Sequence, residues 1–119
     1  MFLLLVPYGP PTNITGNAIN STSITMVIYQ PEPHLRNGII LGYQVTYWTS
    51  EDEHLTINIT RSLDADETSI VLRGLRKFFE HNITVRAFTK IGLGPVSNVT
   101  IIKTFEDGKK DKFIDIPYR

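Results

Sequence analysis

The segment Leu41-Gly42-Tyr43-Gln44-Val45-Thr46-Tyr47-Trp48-Thr49 sets the architecture of the chain. Tyr43, Val45 and Tyr47 alternate with Gln44, Thr46 and Trp48. A period of two places the two sets on opposite faces of an extended strand. The same alternation recurs on both sides. Ile24, Met26 and Ile28 oppose Thr25, Val27 and Tyr29, and Leu55, Ile57 and Ile59 oppose Thr56, Asn58 and Thr60. Ile83, Val85 and Ala87 oppose Asn82, Thr84 and Arg86. Strands with one apolar face bury it by stacking two antiparallel sheets.

Seven extended runs follow from this reading: Thr12–Thr15, Thr22–Gln30, Leu41–Thr49, Leu55–Arg61, Thr68–Leu72, His81–Phe88 and Val96–Thr104. Turn signals separate them, among them Pro10-Pro11, Pro31-Glu32-Pro33 and Asn37-Gly38. Proline between strands sacrifices no ladder hydrogen bond, and Asn-Gly favours the left-handed backbone of a tight turn. With 15 Ile, 7 Val and 13 Thr, 35 of the 119 residues are β-branched, against three Ala. Branching at Cβ suits the pleated sheet and disfavours helix. The Leu75–Glu80 stretch is too short to stand as a helix. The fold class predicted is all-β, an immunoglobulin-like sandwich of about seven antiparallel strands in two sheets over residues 10–106.

The ends differ in character. Residues 1–9 open with a short apolar run that completes neither a signal peptide nor a membrane span, and read as a leader remnant or flexible N-terminus, a truncated end or a first edge strand. Residues 107–119 begin with Asp107-Gly108-Lys109-Lys110-Asp111-Lys112 and read as a charged linker or tail, predicted to be mobile.

Charge and side-chain chemistry exclude several functions. Twelve Lys and Arg balance twelve Asp and Glu, whereas binding nucleic acid or an anionic membrane surface takes a basic excess. There is no cysteine, so no disulfide, thiolate nucleophile or Cys-based zinc site exists. His34, His54 and His81 are scattered. The acidic group at Asp64-Ala65-Asp66-Glu67 lacks the glycine and distal Glu of an EF-hand loop. No Gly-x-Ser-x-Gly elbow is present. The reading is of a non-enzyme with no cofactor, no metal and no small-molecule substrate. Five Asn-x-Ser/Thr acceptors occur, at Asn13, Asn20, Asn58, Asn82 and Asn98, none with a central proline. They are glycosylation candidates and favour secretion. Asn58 and Asn82 fall on the outward sets of their strands.

Several segments, in order, resemble a fibronectin type III domain. They are Pro11-Thr12-Asn13-Ile14-Thr15, Ser21-Thr22-Ser23-Ile24-Thr25, and Asn37-Gly38-Ile39-Ile40-Leu41-Gly42-Tyr43-Gln44-Val45-Thr46-Tyr47. Thr68-Ser69-Ile70-Val71-Leu72-Arg73-Gly74-Leu75, Ile83-Thr84-Val85-Arg86-Ala87-Phe88 and Gly92-Leu93-Gly94-Pro95-Val96-Ser97 complete the set. The style is similar to such domains in the ectodomains of neural cell-adhesion molecules and receptor-type tyrosine phosphatases. Ile28, Tyr43, Val45, Tyr47, Leu72, Leu75, His81, Ile83 and Val85 form the structural set, with Leu72 and Leu75 plugging one end. Two positions depart from the family pattern: Ile28 stands where a core Trp is usual, and His81 where a Tyr opens the sixth strand. The family's Tyr hydrogen-bonds an upstream backbone group. His81, being smaller, is expected to reach less far and pack imperfectly.

The resemblance implies a non-catalytic extracellular protein-recognition module, a monomeric domain within a larger cell-surface adhesion or receptor chain. A purely structural spacer and an intracellular scaffold domain are the alternatives. The loop Thr89–Pro95 corresponds to the one that carries Arg-Gly-Asp in some family members, a tripeptide absent here. Ile91 and Leu93 are the candidate partner contacts, unless one of them packs inward.

Overall fold

The computed structural model describes residues 5–49 and 59–107. Seven strands form two sheets. β1 (Thr12–Ala18), β2 (Ile24–Tyr29) and β5 (Ser69–Leu72) make a three-stranded sheet in the order β1-β2-β5. β3 (Gly42–Thr49), β4 (Ile59–Asp64), β6 (Glu80–Phe88) and β7 (Thr100–Lys103) make a four-stranded sheet in the order β4-β3-β6-β7. Every pairing is antiparallel.

The core lies between the sheets and is built by the alternation. Ile24, Met26 and Ile28 project from β2, Tyr43, Val45 and Tyr47 from β3, and Ile83, Val85 and Ala87 from β6, all buried. Ile70 and Leu72 from β5, Leu63 from β4, and Leu75 beyond β5 close around them. Ile28 is fully enclosed. Burying such aliphatic side chains contributes about 1.5–3 kcal/mol each against leaving them exposed.

Strand limits differ from the sequence pattern for local reasons. β1 runs on to Ala18, because its pairing with β2 shifts register between Thr12 and Thr15 and then continues from Thr15↔Val27 to Ala18↔Ile24. Asn13 sits in that shift with φ of 50°, a left-handed conformation that Asn tolerates better than most residues. β4 extends to Asp64, while the earlier part of the expected fourth run, 55–58, lies outside the described residues. Of the expected Val96–Thr104 run, only Thr100–Lys103 is regular ladder. Ser97 substitutes upstream: its N–H donates to the Val85 carbonyl at 2.9 Å, and its Oγ accepts from the Val85 N–H at 3.0 Å. A single 3-10 turn, Pro33–Leu35, lies in the β2–β3 connection.

From Leu5 to Gly9 the N-terminal segment lies along the sandwich. The Leu35 carbonyl accepts from the Tyr8 N–H at 2.7 Å and the Gly9 N–H at 3.2 Å, and Pro7 is fully buried. Anchorage here is supplied by backbone groups, which apolar counting does not register. The linker expected from 107 onward lies, after Asp107, outside the described residues.

Candidate functional site

The register Gly42↔Phe88 and Thr49↔His81 defines the two ends of the molecule. At the Gly42 end, three segments converge: Leu5–Gly9, the Asn37–Leu41 approach to β3, and the Thr89–Gly94 loop. Asn37 and Gly38 have φ of 54° and 142°, the positive values the Asn-Gly pair permits. This turn fastens the N-terminal segment: Leu5 N–H donates to the Asn37 carbonyl at 3.3 Å, and Asn37 Nδ2 donates to the Val6 carbonyl at 3.3 Å. From the other side Thr89 Oγ1 donates to the Leu5 carbonyl at 2.9 Å and accepts from the Ile91 N–H at 3.2 Å. Thr89 itself is 5% exposed. The Gly94 backbone lies so close to Pro7 that a Cβ on it would stand 2.7 Å from the proline Cβ.

Fastened this way, the three segments leave an apolar cleft of about 150 Å³ lined by Leu5, Ile39, Leu41 and Ile91, with Thr89 and Lys90 at its side. Ile39 is 80% exposed and Ile91 53%. Isolated exposed aliphatics are ordinary; here Leu5, Ile39, Leu41 and Ile91 are grouped around one concavity. Ile91 therefore stands in the cleft. Leu93 does not line it; its backbone bridges to Phe88. Sequence reasoning missed Leu5, Ile39 and Leu41. Only pairing tells which side of a strand's approach faces solvent, and Ile39, Ile40 and Leu41 are all aliphatic. In the structure Ile40 is buried, and its two neighbours point out.

The opposite end is closed by polar groups. The Arg76 carbonyl accepts from Thr104 Oγ1 at 2.7 Å and hydrogen-bonds His81 Nε2 at 3.1 Å. A carbonyl only accepts, so Nε2 carries the hydrogen. The imidazole thus makes the upstream backbone bond it was expected to miss, and His81 is 3% exposed. The expectation of poor reach fails because the Leu75–Phe79 turn bends the Arg76 carbonyl toward the ring, with Phe78 at φ of 50°. Thr104, 1% exposed, also accepts from the Phe79 N–H at 3.0 Å. Outside this knot Arg76 lies 4.0 Å from the Phe79 ring centroid and Lys103 lies 3.9 Å from that of Phe78.

The glycosylation candidates are dispersed. Asn13 and Asn98 are exposed, and Asn82 is half-buried on the outer face of β6. Asn20 uses its Oδ1 to accept from the Thr22 N–H at 2.9 Å. Asn58 lies outside the described residues. Elsewhere, burial pushes the Tyr43 phenol above its ordinary pKa, partly countered by the Arg36 charge. Among the described residues no three His, Asp or Glu side chains gather to hold a metal, and no helix is long and apolar enough to cross a membrane.

A family profile described as fibronectin type III domain matches residues 9–103. The cell adhesion molecule Dscam2 of Drosophila melanogaster is 36% identical over 104 residues, covering 85% of this chain and 5% of Dscam2. The receptor-type tyrosine-protein phosphatase F of Danio rerio is 36% identical over 101 residues, again covering 85% of this chain and 5% of the phosphatase. The solution structure of the third fibronectin III domain of human KIAA0343 protein superposes with a TM-score of 0.76 at 25% identity, covering 89% of each chain. The chain thus spans about a twentieth of the length of these curated relatives.

Proposed function

The chain belongs to the fibronectin type III family, and we propose that it is a non-catalytic, extracellular protein-recognition module of a cell-surface adhesion or receptor protein. The observation that carries this reading is the apolar cleft of Leu5, Ile39, Leu41 and Ile91, held open by hydrogen bonds from Asn37 and Thr89. A pre-organised concave apolar surface binds without first paying the entropy of ordering its loops. Relatives named as an adhesion molecule and a receptor phosphatase support the setting.

A structural spacer is the second reading, and one feature favours it. The Leu5–Gly9 segment is fastened to the same end, so a domain joined ahead of it would sit over the cleft and use it as an internal seam. The double substitution Ile39→Ser, Ile91→Ser separates the two. Both side chains are already exposed, so stability should change by no more than about 0.5 kcal/mol. Beads displaying the isolated chain should lose attachment to cultured cells when these two residues are changed, and keep it when Leu93→Ser is introduced. Equal attachment by all three proteins assigns the cleft to spacing.

A further inference from the structure

We infer that Asn82 carries an N-linked glycan whose first sugar lies on Trp48 and Ile101. Asn82 sits on β6 between two inward residues, His81 at 3% exposure and Ile83 at 1%, so its own side chain leaves the core on the outer face. The register places Trp48 of β3 directly opposite it on one side and Ile101 of β7 on the other. Trp48 follows the buried Tyr47, and Ile101 precedes Ile102, which packs against the core. All three side chains therefore form one row across the outer face of the four-stranded sheet. Directly opposed residues have Cβ atoms only about 4.5–5.5 Å apart. A group attached to the central one covers both neighbours.

The other described outward residues of β3 and β6 at the centre of that face are polar: Gln44 and Thr46 on β3, Thr84 and Arg86 on β6. Trp48 is the single Trp of the chain, and Ile101 is 57% exposed. An apolar pair thus flanks one amide next to the polar outward residues of β3 and β6. Its geometry suits a pyranose, which presents C–H groups on one face for an indole to pack against while its hydroxyls stay in water. Of the described acceptors, Asn82 is the one flanked by apolar register partners. Asn13 lies in a register shift, Asn20 has its amide oxygen engaged, and Asn98 lies outside the strands.

The acceptor triplet is Asn82-Ile83-Thr84. In the transfer, Asn82 Nδ2 forms a bond to the anomeric carbon of a lipid-diphosphate-linked oligosaccharide supplied by the secretory pathway. The bond from that carbon to the diphosphate oxygen breaks, the amide loses one proton, and the lipid diphosphate leaves. Transfer precedes folding of the strand, so the burial of Thr84 does not obstruct it.

The test uses the full 119-residue chain, secreted from a eukaryotic host, with Asn13, Asn20, Asn58 and Asn98 changed to Gln. Mass spectrometry should find Asn82 occupied. Trimming to a single N-acetylglucosamine leaves the sugar the proposal needs. Against the Asn82→Gln protein, the trimmed form should show Trp48 emission shifted to shorter wavelength, weaker acrylamide quenching, and a Tm higher by roughly 4 °C, the scale of one aromatic contact in a domain of this size. In a Trp48→Ala background the Tm gain should vanish; Trp48→Phe should keep most of it and serves if the alanine variant does not fold. An unoccupied Asn82 overturns the proposal and leaves the row to a protein partner. So does an occupied Asn82 with unchanged Trp48 quenching, or a Tm gain that survives in Trp48→Ala.

Discussion

Thr104→Val is the sharpest probe of what holds the domain together away from its core. The substitution keeps the shape of a side chain that is 1% exposed and removes only its hydroxyl. That hydroxyl donates to the Arg76 carbonyl at 2.7 Å and accepts from the Phe79 N–H at 3.0 Å. Two hydrogen bonds are lost, each worth a net ~1 kcal/mol, and the Phe79 N–H is left without its acceptor, an added cost of about 1 kcal/mol at a part-buried site. The Arg76 carbonyl keeps His81 Nε2 and is not orphaned. Replacing hydroxyl by methyl returns about 0.8 kcal/mol of apolar burial. The expected net loss is roughly 2 kcal/mol. With a urea m-value of about 1–2 kcal/mol/M, the unfolding midpoint should fall by ~1–2 M. His81→Phe supplies the partner in a double-mutant cycle. Either single change leaves the Arg76 carbonyl one donor, and both together leave it none, so the double variant should lose about 1 kcal/mol more than the sum. A Thr104→Val loss below about 0.5 kcal/mol, the range of ordinary surface changes, refutes the argument. So does strict additivity of the pair.

Tyr43 gives a pH dependence of known sign. Its folded pKa is raised by burial, so the folded state holds the phenolic proton more tightly than the unfolded chain does. Stability from this residue is complete below the unfolded value of about 10, and is lost as pH rises from there through the folded pKa. Urea melts at pH 9 and above should show that decline reduced in Tyr43→Phe, and equal slopes in the two proteins would remove the assignment. Gly94→Ala places a Cβ 2.7 Å from the Pro7 Cβ and 2.9 Å from its carbonyl oxygen. Overpacking of that kind costs about 1–3 kcal/mol. Here it should lift the N-terminal segment, read as faster amide exchange at Tyr8 and Gly9, and unchanged exchange there counts against the contact.

The sandwich was legible because the period-two alternation in β2, β3 and β6 is nearly uninterrupted, and alternation is the local consequence of a buried sheet face. Strand ends were less legible. Asn13 continues β1 through a left-handed residue, and Ser97 replaces ladder bonds with its hydroxyl; neither device leaves an apolar signature. Ile91 could be singled out because its loop corresponds to a known contact loop of the family. Ile39 and Leu41 could not, since a run of three aliphatics does not announce which member turns inward. The His81 corner illustrates the limit most clearly. Its place two residues before Ile83 on one strand face gave the burial, but its bond to Arg76 depends on a carbonyl oriented by a turn five residues upstream.

The placement of the two surfaces makes them compatible in one molecule. The apolar cleft lies at the Gly42↔Phe88 end of the β3–β6 ladder, and the Trp48–Asn82–Ile101 row lies one pair from the Thr49↔His81 end. Six residues of strand separate Gly42 from Trp48, which at about 3.3 Å each is roughly 20 Å along the sheet. A sugar placed on Trp48 as proposed would cover the sheet face without reaching Ile39 or Ile91. The polar knot of Arg76, His81 and Thr104 closes the Thr49↔His81 end with buried hydrogen bonds, so its polar groups need no partner to satisfy them. Ile39, Leu41 and Ile91 stand exposed at the other end, beside the segments fastened by Asn37 and Thr89. A partner or adjoining domain seated on the cleft would therefore leave Trp48, Asn82 and Ile101, near the other end of the ladder, uncovered.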